Sequence, residues 1–185
     1  MAPTNWKKIA DPRTARLVIA VSNSSPLVSL ARVGRLNLLA SFCKRILIPV
    51  EVQHEVTVAG CGLPGAEEVR NANWIEVAPQ KSLADPSLAQ ACRNLGAGER
   101  GAILLAKSLQ ADVVLLDEWK ASRIARDAGL SIVGCLGILE ASARTGLVSD
   151  LRPAPGRGLT LSSPMRGERC LGSGRRKTGP RGPAL

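Results

Sequence analysis

An α/β fold built on a mainly parallel sheet is what this sequence predicts, and three observations lead there. Short apolar runs bounded by turn residues recur along residues 17–150, amphipathic helical stretches separate them, and the joints are only a few residues long. Strands that alternate with helices over short joints pair in parallel, each crossover helix covering the sheet. A chain of 185 residues is one domain's worth, and a body of about 150 residues buries a sizeable core. That core has to be aliphatic, because Trp6, Trp74, Trp119 and Phe42 are the only aromatic residues. The same scarcity argues against a platform of stacked rings for reading single-stranded bases.

Taken in order, LVIAVS (17–22) is an unbroken apolar run of buried-strand length, and SPLVSLARVGRLNLLASF is helical material broken near Gly34. RILIP is a short strand, and Pro49 opens a helix over about Val50–Val58, since proline suits a first helical turn. PGAEEVRNAN (64–73) reads as a helix with its proline at the start, and WIEVA (74–78) as a strand. GERGAILLAKSLQ (98–110) places Ala102, Ile103, Ala106 and Leu109 on one helical face. DVVLLD is the clearest strand, EWKASRIARDAG a helix closed by Gly129, SIVG a last short strand and CLGILEASARTG a last helix closed by Gly146. No internal repeat is visible.

Composition excludes several classes. The five cysteines, Cys43, Cys61, Cys92, Cys135 and Cys170, are odd in number and contain no CxxC pair, which argues against a disulfide framework and a zinc site and fits a reducing cytoplasm. The single histidine, His54, cannot build a histidine metal site and reads as a surface residue. LVIAV is five residues long, too short for a signal core or a membrane span, so no membrane association is expected. Net charge is +10, but eight basic residues and one acid after position 150 hold +7 of it, leaving +3 on residues 1–150. That tail carries five prolines and seven glycines in 35 residues and shows neither helical nor strand periodicity, so it is expected to be a disordered, solvated extension rather than a nucleic-acid-binding arm. The expected organisation is an N-terminal extension (1–16), one globular domain (17–150) and the tail (151–185).

Chemistry enters through four polar residues. Asn23 and Asp117 end the two strongest strands, while Glu55 and Glu99 border apolar helix faces. In an open parallel sheet ligands bind at the carboxyl ends of the strands, and neighbouring strands about 5 Å apart bring such side chains together. Acids converging without a basic partner repel one another, whereas a bound Mg²⁺ or Mn²⁺ accepts them as oxygen ligands. A carboxylate cluster of that kind suits hydrolysis of phosphodiesters. Spacing alone leaves a second reading open: Glu99 favours the dipole of its own helix, and Asp117 caps the helix that follows.

The blocks VSNSSPLVSLARVGRLNLL, ILIPVEVQHEV, LPGAEEVRNANWIEV, LGAGERGAILLA and VVLLDEWKASRIARDAGLSIVGCLGIL, in that order, resemble the PIN-domain superfamily. The likeness covers about residues 17–150 and is nearest to a bacterial and archaeal branch of predicted nucleic-acid-binding proteins, akin to the toxin nucleases of toxin-antitoxin pairs. It implies a three-layer α/β/α sandwich and an Mg²⁺- or Mn²⁺-dependent ribonuclease site. By this likeness the metal-holding positions fall at Asn23, Glu55, Glu99, Asp117 and the adjacent Glu118, with Ser24 beside them toward substrate, and Glu55, Glu99 and Asp117 are the catalytic acids. RNA, a cognate antitoxin protein and a second copy of the chain are the partners it implies. The chain departs from the family at Asn23, where Asp is usual, since an amide oxygen ligates a metal but brings no charge. It departs again in the tail, where LRP gives way to Pro/Gly/Arg-rich sequence in place of a further amphipathic segment, the pattern a frame change produces.

Two further readings are testable against the fold. Gly96, Gly98 and Gly101 match GxGxxG, with Asp117 about 20 residues on, but SLAQACRNL stands where a buried strand would have to deliver the chain to the turn, which argues against a dinucleotide site. The alternative to a nuclease is a non-catalytic module on the same scaffold, impaired at Asn23, that binds nucleic acid or protein.

Overall fold

The computed structural model describes residues 18–60, 62–79 and 85–148; the expected N-terminal extension, the tail, Cys61 and Cys170 lie outside them. Five parallel strands form one sheet in the order β3-β2-β1-β4-β5. They are β1 (Ile19–Ser22), β2 (Arg45–Ile48), β3 (Ile75–Val77), β4 (Val113–Leu115) and β5 (Ile132–Val133). Strands buried on both faces need apolar residues throughout, and side chains alternate accordingly. Ala20, Ile46, Ile48, Val113, Leu115 and Val133 enter one core, while Val21, Leu47, Val114, Leu116 and Ile132 enter the other.

The first core is covered by α1 (Ser24–Arg32), α2 (Leu38–Phe42), α3 (Val50–His54), α4 (Ala66–Arg70) and α8 (Cys135–Arg144). The second is covered by α5 (Pro86–Ala91), α6 (Ala97–Leu109) and α7 (Trp119–Asp127). Connections that step from β1 to β2 to β3 keep their helices on one face, and the return to β4 and β5 puts α5, α6 and α7 on the other. Right-handed crossovers demand that switch of face when the direction of travel along the sheet reverses. The result is the three-layer α/β/α sandwich that the family likeness implies.

Local chemistry sets the boundaries. Helix α1 ends where Gly34 takes φ 70°, its N–H reaching Ala31 O while Arg35 N–H reaches Leu30 O, both at 2.8 Å, a left-handed glycine stop. Leu30, Leu36 and Leu39 are buried in the first core, so α1 and α2 pack on the sheet. Helix α3 does not simply run on to Val58: from Glu55 to Ala59 the backbone widens into a π turn, of the kind that often marks functional sites.

Helix α5 is absent from the sequence expectations. Asp85 caps it by accepting from Leu88 N–H at 3.0 Å with Pro86 in the first turn, and Leu88, Cys92 and Leu95 are buried under it. Its Asp-Pro start is the signal a capping search would have found. Because a helix rather than a strand precedes Gly96, the dinucleotide fingerprint lacks its context, as expected. His54 is exposed, also as expected, and no helix among the described residues is long and apolar enough to cross a membrane.

Cys43, which closes α2, is 7 % exposed; burial, reinforced by the nearby Asp112 carboxylate, pushes its thiol from an ordinary 9.0 up to about 12. The unfolded chain therefore loses this proton first, so stability is full below about pH 9 and declines as pH climbs toward 12. The sequence contains no tyrosine to blur that range. Urea unfolding at about pH 8 and about pH 10 should differ by roughly 1.4 kcal/mol more in the wild type than in Cys43→Ala; equal differences would show that the buried thiol is not the responsible group.

Candidate functional site

The carboxyl ends of β1 and β4 meet at the centre of the sheet, where strand order reverses. Asn23 follows β1 and its N–H donates to Leu115 O at 3.2 Å, so it stands beside the last turn of β4. The amide is 5 % exposed. Its Oδ1 accepts the Ser24 N–H at 2.7 Å and caps α1, which is why a polar side chain is stable in so apolar a setting.

Glu55 comes to the same place from α3. The Ser24 hydroxyl donates to Glu55 Oε2 at 2.6 Å while lying 3.3 Å from Asn23 Oδ1, and Gly98 N–H at the start of α6 donates to Glu55 Oε1 at 3.0 Å. A side chain at 98 would have to push the Glu55 carboxylate aside. A Cβ there would stand 2.6 Å from both Glu55 oxygens and 2.8 Å from Asn23 Oδ1. Three oxygens from two distant stretches thus converge over one bare backbone position. A cleft of about 300 Å³ lined by Ser24, Val28, Glu55, Leu63 and others opens beside them.

Asp117 lies two residues beyond Leu115, and its carboxylate turns toward the start of α8. Oδ1 accepts Cys135 N–H at 2.7 Å and Oδ2 accepts the Cys135 thiol at 2.9 Å. Gly134 makes room, since a Cβ would approach Oδ1 to 2.8 Å. Burial, and then the hydrogen bond and charge of Asp117, push the Cys135 thiol well above its usual range, so it is a neutral donor at physiological pH.

The other two predicted acids serve helix starts. Glu99 Oε2 accepts Gly96 N–H at 3.0 Å, and Glu118 Oε2 accepts Ala121 N–H at 2.6 Å, capping α7. The cap predicted for Asp117 therefore belongs to its neighbour Glu118. Glu51 was missed by the sequence reading. One turn before Glu55, its Oε2 comes within 3.0 Å of where a Cβ on Gly101 would stand; Glu51 and Glu55 four apart, facing Gly98 and Gly101 three apart, were the available signal.

The structure therefore joins Asn23, Ser24 and Glu55 directly and sets Asp117 at the adjoining strand end. Glu99 and Glu118 are not hydrogen-bonded to that group. Among the described residues no three Asp, Glu, His or Cys side chains form a ready-made metal cage, and no Lys or Arg is ion-paired with Glu55 or Asp117.

The profile of the PIN-domain family matches residues 19–155, a span that takes in the entire sheet and every helix described. The chain belongs to the PIN-domain family. No curated protein matches it. PIN domains are nuclease-type domains associated with nucleic acid, and they generally use divalent metal ions. The residues gathered here are compatible with such an ion: Glu55 and Asn23 present hard oxygens, no Lys or Arg among the described residues is ion-paired with Glu55, and Mg²⁺ is commonly held by one or two carboxylates with water completing its shell.

Gly98→Ala separates fold from site. Alanine is favoured over glycine in a helix by up to about 1 kcal/mol, which offsets part of the Glu55 hydrogen bonding that is lost, so the melting temperature should fall only slightly. Displacing the Glu55 carboxylate should weaken Mn²⁺ binding by calorimetry on the order of tenfold; unchanged binding would remove Glu55 from the ligand set.

Proposed function

We propose that this PIN domain is an Mg²⁺- or Mn²⁺-dependent endoribonuclease that hydrolyses RNA phosphodiesters, the toxin half of a toxin-antitoxin pair. One observation supports it above the rest: the Glu55 carboxylate, gripped by the Ser24 hydroxyl and the Gly98 N–H, converges with the Asn23 amide oxygen on Gly98 at the point where strand order reverses. Neutral donors fix the carboxylate without neutralising it, which leaves its charge for a cation.

In this reading Glu55 and Asn23 hold the ion, and Asp117 completes the set from the next strand end. When bound, the ion activates water for attack on the phosphodiester and offsets the charge that develops on phosphorus-bound oxygen. Ser24 keeps Glu55 in position and stands at the mouth of the cleft toward substrate. Asp117, its oxygens held by Cys135, would position the attacking water beside the ion. Glu99 and Glu118, each with one oxygen engaged at a helix start, contribute negative potential at the rim. The toxin assignment rests on the likeness to toxin nucleases and is checked by a neighbouring small open reading frame, which the antitoxin would require.

A non-catalytic binding module is favoured by two observations: Asn23 brings no charge, and both Asp117 oxygens accept from Cys135. Single-turnover cleavage of RNA with Mn²⁺ distinguishes the readings. Asp117→Asn should slow cleavage on the order of 100-fold; equal rates in the variant and the wild type would overturn the nuclease reading. Restoring charge by Asn23→Asp should tighten Mn²⁺ binding several-fold by calorimetry, and no change would remove Asn23 from the site.

A further inference from the structure

Trp119 is 70 % exposed, although an indole ordinarily buries most of its area. The core does not use it, because the residues α7 buries are Ala121, Ser122 and Ala125. Its place in the chain is tightly determined. Asp117 is two residues earlier, and Glu118 between them is fixed by its cap to Ala121 N–H at 2.6 Å.

Cations accompany the ring. The Arg123 guanidinium carbon lies 5.8 Å from the ring centroid, and Lys120 and Arg126 are exposed on the same helix. On the other side of Asp117, Leu136 is 78 % exposed and directly follows Cys135, whose N–H and thiol bind that carboxylate. An uncovered aromatic ring, a cation over it and further basic residues, all next to a candidate phosphodiester site, match how single-stranded nucleic acid is gripped: bases on rings, phosphates on Lys and Arg.

We propose that Trp119 is a base-stacking subsite for single-stranded RNA, with Arg123 and Lys120 contacting the adjoining phosphates. The choice of RNA rests on the nuclease reading above; the stacking does not. Scarcity of aromatic residues excludes a platform of several rings, yet one ring serves one base. Paired RNA is excluded from the subsite, because its bases are already stacked within the helix.

The test is anisotropy of a short labelled oligoribonucleotide titrated with the full chain in EDTA at fixed salt, beside a duplex of the same sequence. Trp119→Ala should weaken single-strand binding about tenfold and leave duplex binding unchanged, while Trp119→Phe retains most of the affinity. Intrinsic fluorescence should be quenched by the single strand in the wild type and much less in Trp119→Phe, which keeps Trp6 and Trp74. Unaltered single-strand affinity in Trp119→Ala, or an equal loss on duplex, overturns the subsite. The underlying reading fails separately: Trp119-dependent binding without Mn²⁺-dependent cleavage removes the nuclease and keeps the subsite, whereas cleavage that dies with Asp117→Asn while Trp119→Ala binds normally does the reverse.

Discussion

A carboxylate at the edge of an apolar sheet is stable only when donors replace the water it gives up, and the Glu55 carboxylate meets that condition with the Ser24 hydroxyl at 2.6 Å and the Gly98 N–H at 3.0 Å. Those two bonds draw three elements together: the start of α1, the end of α3 and the start of α6. They also require that α6 begin with no side chain at 98, so that backbone rather than a β-carbon faces the acid. Next along, Gly101 meets Glu51 and Pro49 in the same close approach. The glycines that imitate a dinucleotide fingerprint thus serve helix packing against an acidic face.

Topology turns these local contacts into a site. Because the order β3-β2-β1-β4-β5 reverses direction between β1 and β4, the helices that leave those two strands depart to opposite faces and a crevice opens between them. Asn23 is the first residue past the ladder on β1, and Asp117 the second past it on β4. Acids at the element ends divide by what their oxygens do. Asp85, Glu99 and Glu118 accept from backbone N–H groups of their own helix starts, a common capping arrangement. Glu55 accepts from residues 31 and 43 positions away, and Asp117 from one 18 positions away. Long-range neutral donors that preserve a carboxylate's charge set these two apart.

Much of the secondary structure was legible. Val18 to Ser22, Ile46 to Ile48 and Val113 to Leu116 are continuous apolar stretches because parallel strands are covered twice, and glycines at 129 and 146 carry positive φ where helices stop. Helix α5 was missed, since SLAQACRNL mixes small and polar residues and only Leu88, Cys92 and Leu95 turn inward. The π turn after His54 was likewise invisible, because EVTVA continues an acceptable helical pattern and only packing decides where the backbone widens. Position along the apolar runs singled out Asn23, Glu55, Glu99 and Asp117, and the family likeness implied a shared role for them, which spacing alone left open.

By itself the sequence determined the fold class, the aliphatic character of the core and the position of polar residues at strand and helix ends, since all three follow from periodicity and composition along a local stretch. Tertiary structure alone decided which of those acids share a site. Glu55 meets Asn23 while Glu99 turns back to Gly96, and it is Glu118, not Asp117, that caps α7. The reason is physical: a helix-start acid is equally stable accepting a local N–H or a distant donor, and the choice falls to whichever partner the packing of α3 against α6 delivers within hydrogen-bond reach.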